Sequence, residues 1–158
     1  MRVFLVLLTL INTCLAAPLL YQYWRASENP RVVLHTQPLR EWYNAKYQGR
    51  TVGQYDPRDA TIHISLITNS SRSIAYTLLH EYGHYLSYRI SDDEHERWNG
   101  FCNHTTEYNV VYYHGYGEEH WCSEQFADGL ATYILRTPDL PDEQQEFFAV
   151  LVHKYVQD

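Results

Sequence analysis

Two histidines four residues apart constrain this chain more than any other feature. They stand in the run His80-Glu81-Tyr82-Gly83-His84, inside a stretch whose apolar residues recur at helical spacing. Ile74, Leu78, Tyr82 and Tyr85 share one side of a helix expected from about Ser73 to Arg89. On a helix, residues i and i+4 lie one turn above each other on the same face. Both imidazoles can therefore reach one ion at about 2.0–2.1 Å, the range of zinc–nitrogen bonds. Glu81, beside the first histidine, can reach a water on that ion, which is the arrangement metal-assisted hydrolysis needs. The alternative is a pair of ordinary surface or core histidines that happen to share a helix face.

A zinc centre that does chemistry takes three protein ligands and keeps one position open. Downstream candidates for the third are His95, His104, His114, Glu118, Glu119, His120 and Glu124. Spacing favours Glu124. It lies four residues before Asp128 on a helix expected from Ser123, as N-cap, to about Arg136, so both carboxylates share a face. Glu124 can ligate the ion, and Asp128 can accept the other N–H of a ligating histidine and fix its tautomer. Phe126, Leu130 and Ile134 would bury this helix beside the first. The competing role for Glu124 is a favourable charge in the first turn of a helix.

The rest of the chain supplies a scaffold. Ala60 to Ile67 alternates, with Ile62, Ile64 and Leu66 facing one way and Thr61, His63 and Ser65 the other, as in a half-buried strand. Arg31–His35 and Arg50–Tyr55 read as further strands, and Pro38–Tyr47 as a helix stopped by Gly49. Residues 91–121 form a long polar and aromatic stretch with a short helix near 93–99. A last helix from Asp142 to about Val156 carries Phe147, Phe148, Leu151 and Tyr155 on its apolar side. Strands early and helices late indicate an α+β domain with a small sheet.

With 158 residues, 45% hydrophobic and 20% charged, the chain suits one globular domain. A formal charge of −7 without a Lys/Arg cluster argues against nucleic acid as a partner. Residues 1–16 read as a signal peptide: Arg2, an apolar run from Val3 to Ile11, then small residues ending at Ala16. The alternative is an uncleaved membrane anchor extending to about Trp24. Residues 17–158 would be the mature domain, expected to be monomeric and secreted, periplasmic or otherwise extracytoplasmic, with a membrane association only if the N-terminal segment is retained. Of three cysteines, Cys14 falls in that segment. Cys102 and Cys122 remain as an even pair suited to a disulfide in an exported chain.

The run HEYGH at 80–84, followed by SEQFADGLATY at 123–133 with Glu124 lying 40 residues after His84, resembles the gluzincin group of zinc metallopeptidases. The stretch GQYDPRDATIHISL at 53–66 is also similar to minimal, single-domain members of that group. The resemblance covers about residues 53 to 136. It implies a zincin-like α+β fold with a small, mostly antiparallel sheet, one zinc ion per chain and a peptide or protein substrate. It implies His80, His84 and Glu124 as ligands, Glu81 as general base and Asp128 as the acid behind the ligands. It also implies an edge strand before the zinc helix, at Ile62, His63 and Ile64, on which the substrate backbone pairs. The metzincin pattern is absent, because Ser87 and Ile90 stand where it has glycine and histidine. An oxyanion-stabilising Tyr or His is expected from outside the helices. His114 and Tyr116, flanked by Gly115 and Gly117, are the candidates. A non-catalytic zinc-binding or envelope-associated protein on the same scaffold is the alternative function.

Overall fold

The apolar alternation after the Asp56–Ala60 turn puts Thr61–Ser65 in a strand, and two more strands pair with it. The computed structural model describes residues 30–36, 39, 52–67, 71–102, 118–136 and 140–156. Arg31–His35 is β1, Gly53–Asp56 is β2 and Thr61–Ser65 is β3. The strand order is β1-β3-β2. β1 runs parallel to β3, with Val33 opposite His63 and His35 opposite Ser65. β2 runs antiparallel to β3, with Gln54 opposite His63. In the turn between β2 and β3, Asp56 accepts from the Arg58 backbone N–H at 3.0 Å, and Ala60 adopts a left-handed φ of 51°.

Two expectations about this sheet are corrected. It is mixed, not mostly antiparallel. Ile62, His63 and Ile64 lie in the central strand, with β1 on one side and β2 on the other, so their backbone offers no free edge. Alternation reports which face a side chain takes and is silent about what pairs with the backbone on either side. β3 is also more than half-buried: Thr61 and Ser65 are enclosed along with Ile62 and Ile64.

Four helices follow among the described residues: α1 Ser71–Ser87, α2 Asp92–Phe101, α3 Glu118–Ile134 and α4 Asp142–Val156. The domain is thus α+β. The helix expected at 38–47, apart from residue 39, and the segment 1–16 lie outside the described residues. α2 starts with a capping box in which Ser91 and Glu94 satisfy each other's backbone N–H groups. Glu94 also accepts from Lys154 at 2.8 Å and from the Tyr155 hydroxyl at 2.7 Å, which fastens α2 to α4.

The core lies between the sheet and the helices. Ile62 and Ile64 from β3 meet Ile74, Leu78 and Tyr82 from α1, and Phe126, Leu130 and Ile134 continue it from α3. Each such side chain contributes about 1.5–3 kcal/mol when fully buried. Trp98 of α2 joins the helices: its ring centroid lies 5.3 Å from those of Phe126 and Phe148 and 5.5 Å from that of Phe147. Its indole N–H donates to the Cys122 carbonyl at 2.9 Å. Beside it, Cys102 and Cys122 form a disulfide that pins the end of α2 to α3.

Gly83 sets the distance between α1 and α3. A Cβ there would lie 2.5 Å from the Ala127 Cα, so only glycine lets the two backbones approach this closely. Glu124 and Asp128 flank Ala127 along α3, and the close approach carries both onto the histidine face of α1.

Candidate metal centre

His80 and His84 project from α1 toward Glu124 on α3. The two Nε2 atoms are 3.2 Å apart. Glu124 places one carboxylate oxygen 3.2 Å from His80 Nε2 and the other 3.3 Å from His84 Nε2. Ligands bound tetrahedrally at about 2.0–2.1 Å are separated from one another by about 3.3–3.4 Å. The three side chains therefore stand at the corners of one face of such a tetrahedron. Among the described residues they are the one group of three His, Cys, Asp or Glu side chains close enough to share an ion.

A further layer holds the imidazoles in place. His80 Nδ1 lies 2.7 Å from Asp128 Oδ1, which fixes the tautomer that turns Nε2 toward Glu124. The Tyr76 hydroxyl donates to the same Asp128 oxygen at 2.8 Å. The Ser123 hydroxyl lies 3.2 Å from His84 Nδ1. Ser123 is therefore not the N-cap: α3 begins at Glu118, and Ser123 sits in its second turn. Sequence reasoning passed over Tyr76, although it stands four residues before His80 on the same helix face.

Electrostatics favour positive charge here. Burial opposes protonation of His80, but its hydrogen bonds to Asp128 and Glu124 and the nearby Glu81 charge outweigh this and raise its pKa to about 10. Burial likewise pushes Glu124 up, yet the hydrogen bonds and charges of the two histidines hold it well below the usual carboxylate range. Neutral imidazoles and an ionised carboxylate are what a metal requires, so a cation and the His80 proton compete for one place.

Glu81 is not a member of the ligand face. It is buried, and that burial raises its pKa against the pull of His80 and His84. The Tyr55 backbone N–H donates to its carboxylate. Space for it is made by Gly53, where a Cβ would lie 2.6 Å from Glu81 Oε1 and 2.4 Å from Thr77 Cγ2. Nothing in the sequence alone marked Gly53. Just before β2, the Val52 carbonyl accepts from the Ser65 N–H of β3 at 2.8 Å. By antiparallel alternation Gln54 also faces β3, and the backbone groups of Gly53 and Tyr55 face the outer edge. The strand edge beside Glu81 is thus β2.

Of the residues singled out from sequence, His80, His84, Glu124, Asp128 and Glu81 come together. Cys102 and Cys122 are bonded. Ile62 and Ile64 are core, and His63 points to the opposite sheet face, where it meets His35. His114 and Tyr116 lie outside the described residues. No helix among the described residues is long and apolar enough to cross a membrane.

The arrangement is of HExxH type, with a group of side chains able to bind a metal ion. Comparison with protein-family models, with curated proteins and with solved structures finds no match to this chain.

Proposed function

We propose that this chain is a zinc-dependent metallopeptidase of the gluzincin kind on a zincin-like fold. The observation that carries the proposal is the His80–His84–Glu124 face, spaced for a tetrahedral ion, beside a buried carboxylate, Glu81, that is not needed to complete it. A structural zinc site is closed by four protein ligands, whereas a catalytic one keeps a position open. His80, His84 and Glu124 would hold one zinc ion per chain. When bound, zinc supplies Lewis-acid chemistry, lowering the pKa of coordinated water and polarising a carbonyl.

Glu81 takes the proton from water as it attacks the scissile carbonyl and then delivers that proton to the leaving amine. Asp128 and Ser123 keep the imidazoles oriented throughout. The outer edge of β2, at the Gly53 backbone and the Tyr55 carbonyl, is where an extended peptide would add as a further strand, while the Tyr55 N–H stays with Glu81 and the peptide side chains are left to pockets. The disulfide fits an exported, extracytoplasmic protein.

Glu81→Gln tests the proposal. Zinc content should stay at the wild-type value, while cleavage of a mixed peptide library, read by mass spectrometry, should fall by about 10²–10⁴-fold. Equal cleavage by the variant, or no cleavage by zinc-loaded wild type, would reject the peptidase reading. The latter outcome would leave a non-catalytic zinc-binding protein.

A further inference from the structure

On the sheet face away from α1, a second pair of imidazoles converges. Arg31, Val33 and His35 of β1 share this face with Thr61, His63 and Ser65 of β3, because Val32, Leu34, Ile62 and Ile64 pack into the core. In the parallel register His35 and His63 are diagonal neighbours. His35 Nε2 lies 3.0 Å from His63 Nδ1, and the ring centroids are 5.2 Å apart. The gap is close to the 3.2 Å between the nitrogens of His80 and His84. It also approaches the roughly 3.3–3.4 Å that separates two ligands on one zinc ion. Neither ring is fully enclosed, so an ion can reach both.

We propose that His35 and His63 form a second, weaker metal site, a two-imidazole clasp for a borderline divalent cation such as zinc that joins β1 to β3. Imidazole suits zinc, copper and nickel. The negative charges of Asp56 and Asp59 act on His63, with Arg31 opposing them, and Arg58 pairs with Asp56 at 2.6 Å, so acid and base near the clasp balance and the imidazole nitrogens themselves would hold the ion. Burial, and then the charge of His35, hold the His63 pKa below its ordinary value, which keeps that ring in the neutral form a metal needs. One N–H is shared between the two nitrogens. Coordination moves it to the other nitrogen of the same ring, with no net loss of protons when both rings are neutral. Among the described residues no third His, Cys, Asp or Glu completes a three-ligand group here. Water fills the remaining positions, and affinity falls below that of the His80–His84–Glu124 centre.

The test is a calorimetric zinc titration of the whole chain, stripped of metal and then carried well past two equivalents. Wild type should show a tight event and a weaker one, two zinc ions at saturation, and a thermal midpoint that keeps rising after the first equivalent. His63→Ala and, independently, His35→Ala should lose only the weaker event and that second rise. His80→Ala should lose only the tight one, so failure of the α1–α3 centre and failure of the clasp are read apart. Circular dichroism confirms that each variant is folded. Should His63→Ala not fold, His35→Ala at the strand end decides alone. A single event in wild type, or a weaker event that survives in a folded His35→Ala, overturns the proposal.

Discussion

Gly83→Ala sets two opposed magnitudes against each other. In the interior of an exposed helix, replacing glycine by alanine stabilises by about 0.5–1 kcal/mol. At Gly83, however, the new methyl would lie 2.5 Å from the Ala127 Cα, 3.1 Å from its Cβ and 3.2 Å from its carbonyl oxygen. Ordinary carbon contacts lie at about 3.5–4.0 Å, so α1 and α3 must part by about 1 Å. Backbone cannot swing aside as the end of a flexible side chain can, and overpacking of this kind costs about 1–3 kcal/mol. The net expectation is destabilisation. Function suffers more, because Glu124 and Asp128 ride on the displaced helix. The 3.2 and 3.3 Å spacings from Glu124 to the histidines would open to about 4 Å, too wide for the tetrahedral arrangement of ligands bound at about 2.0–2.1 Å. Zinc affinity, measured by competition with a chromophoric chelator, should fall by at least the 10–100-fold typical of losing an outer-shell partner. The thermal midpoint of the metal-free protein should fall as well. A Gly83→Ala protein with a higher midpoint and unchanged zinc affinity would refute this reading of how α1 meets α3.

Asp128→Ala should weaken zinc by about 10–100-fold, and Tyr76→Phe, which keeps the ring and removes the hydroxyl donated to Asp128, should weaken it less; chelator competition ranks the two. Gly53→Ala crowds Glu81 and Thr77 without touching a ligand, so peptide cleavage should drop, by up to about 100-fold for a displacement near 1 Å, while zinc affinity holds. Reducing the Cys102–Cys122 bond, 20 residues apart in sequence, should cost about 3 kcal/mol in the chain-entropy picture, seen as a lower midpoint in denaturant. Partial burial opposes ionisation of Glu94, but Lys154, Tyr155 and Ser91 outweigh it and lower its pKa from 4.5 to about 2. A depressed folded-state value gives stability that is complete above the unfolded pKa and is lost as pH falls from about 4.5 toward 2. Wild type minus Glu94→Gln should show that loss in acid denaturation, and a difference independent of pH would remove Glu94 from the α2–α4 tie.

The sequence reported the site better than the sheet. His80, His84, Glu124 and Asp128 were legible because each pair is four residues apart on a helix, and helical geometry is local. The apolar faces of α1, α3 and α4 followed from the same periodicity, and Arg31–His35 was legible from β-branched residues. Strand order was not legible. Whether Ile62–Ile64 lies at an edge depends on which distant segments pair with its backbone, and alternation is identical for central and edge strands. The start of α3 was misplaced because Ser123 has the chemistry of an N-cap, while its hydroxyl is directed to His84. Gly53 and Gly83 matter through neighbours, Glu81 and Ala127, that lie 28 and 44 positions further along the chain, and no local pattern marks such contacts. Likewise His35 and His63 share a sheet face only because β1 and β3 are parallel in that register.

Metal content of the purified domain, dialysed against metal-free buffer so that only tightly held ions remain, tests most directly whether α1 and α3 build a zinc centre. Wild type should retain one zinc per chain, and Glu124→Ala, lacking one of three ligands, should retain almost none. Wild type without zinc even after it has been supplied, or a Glu124→Ala protein that keeps a full equivalent, would contradict the His80–His84–Glu124 centre.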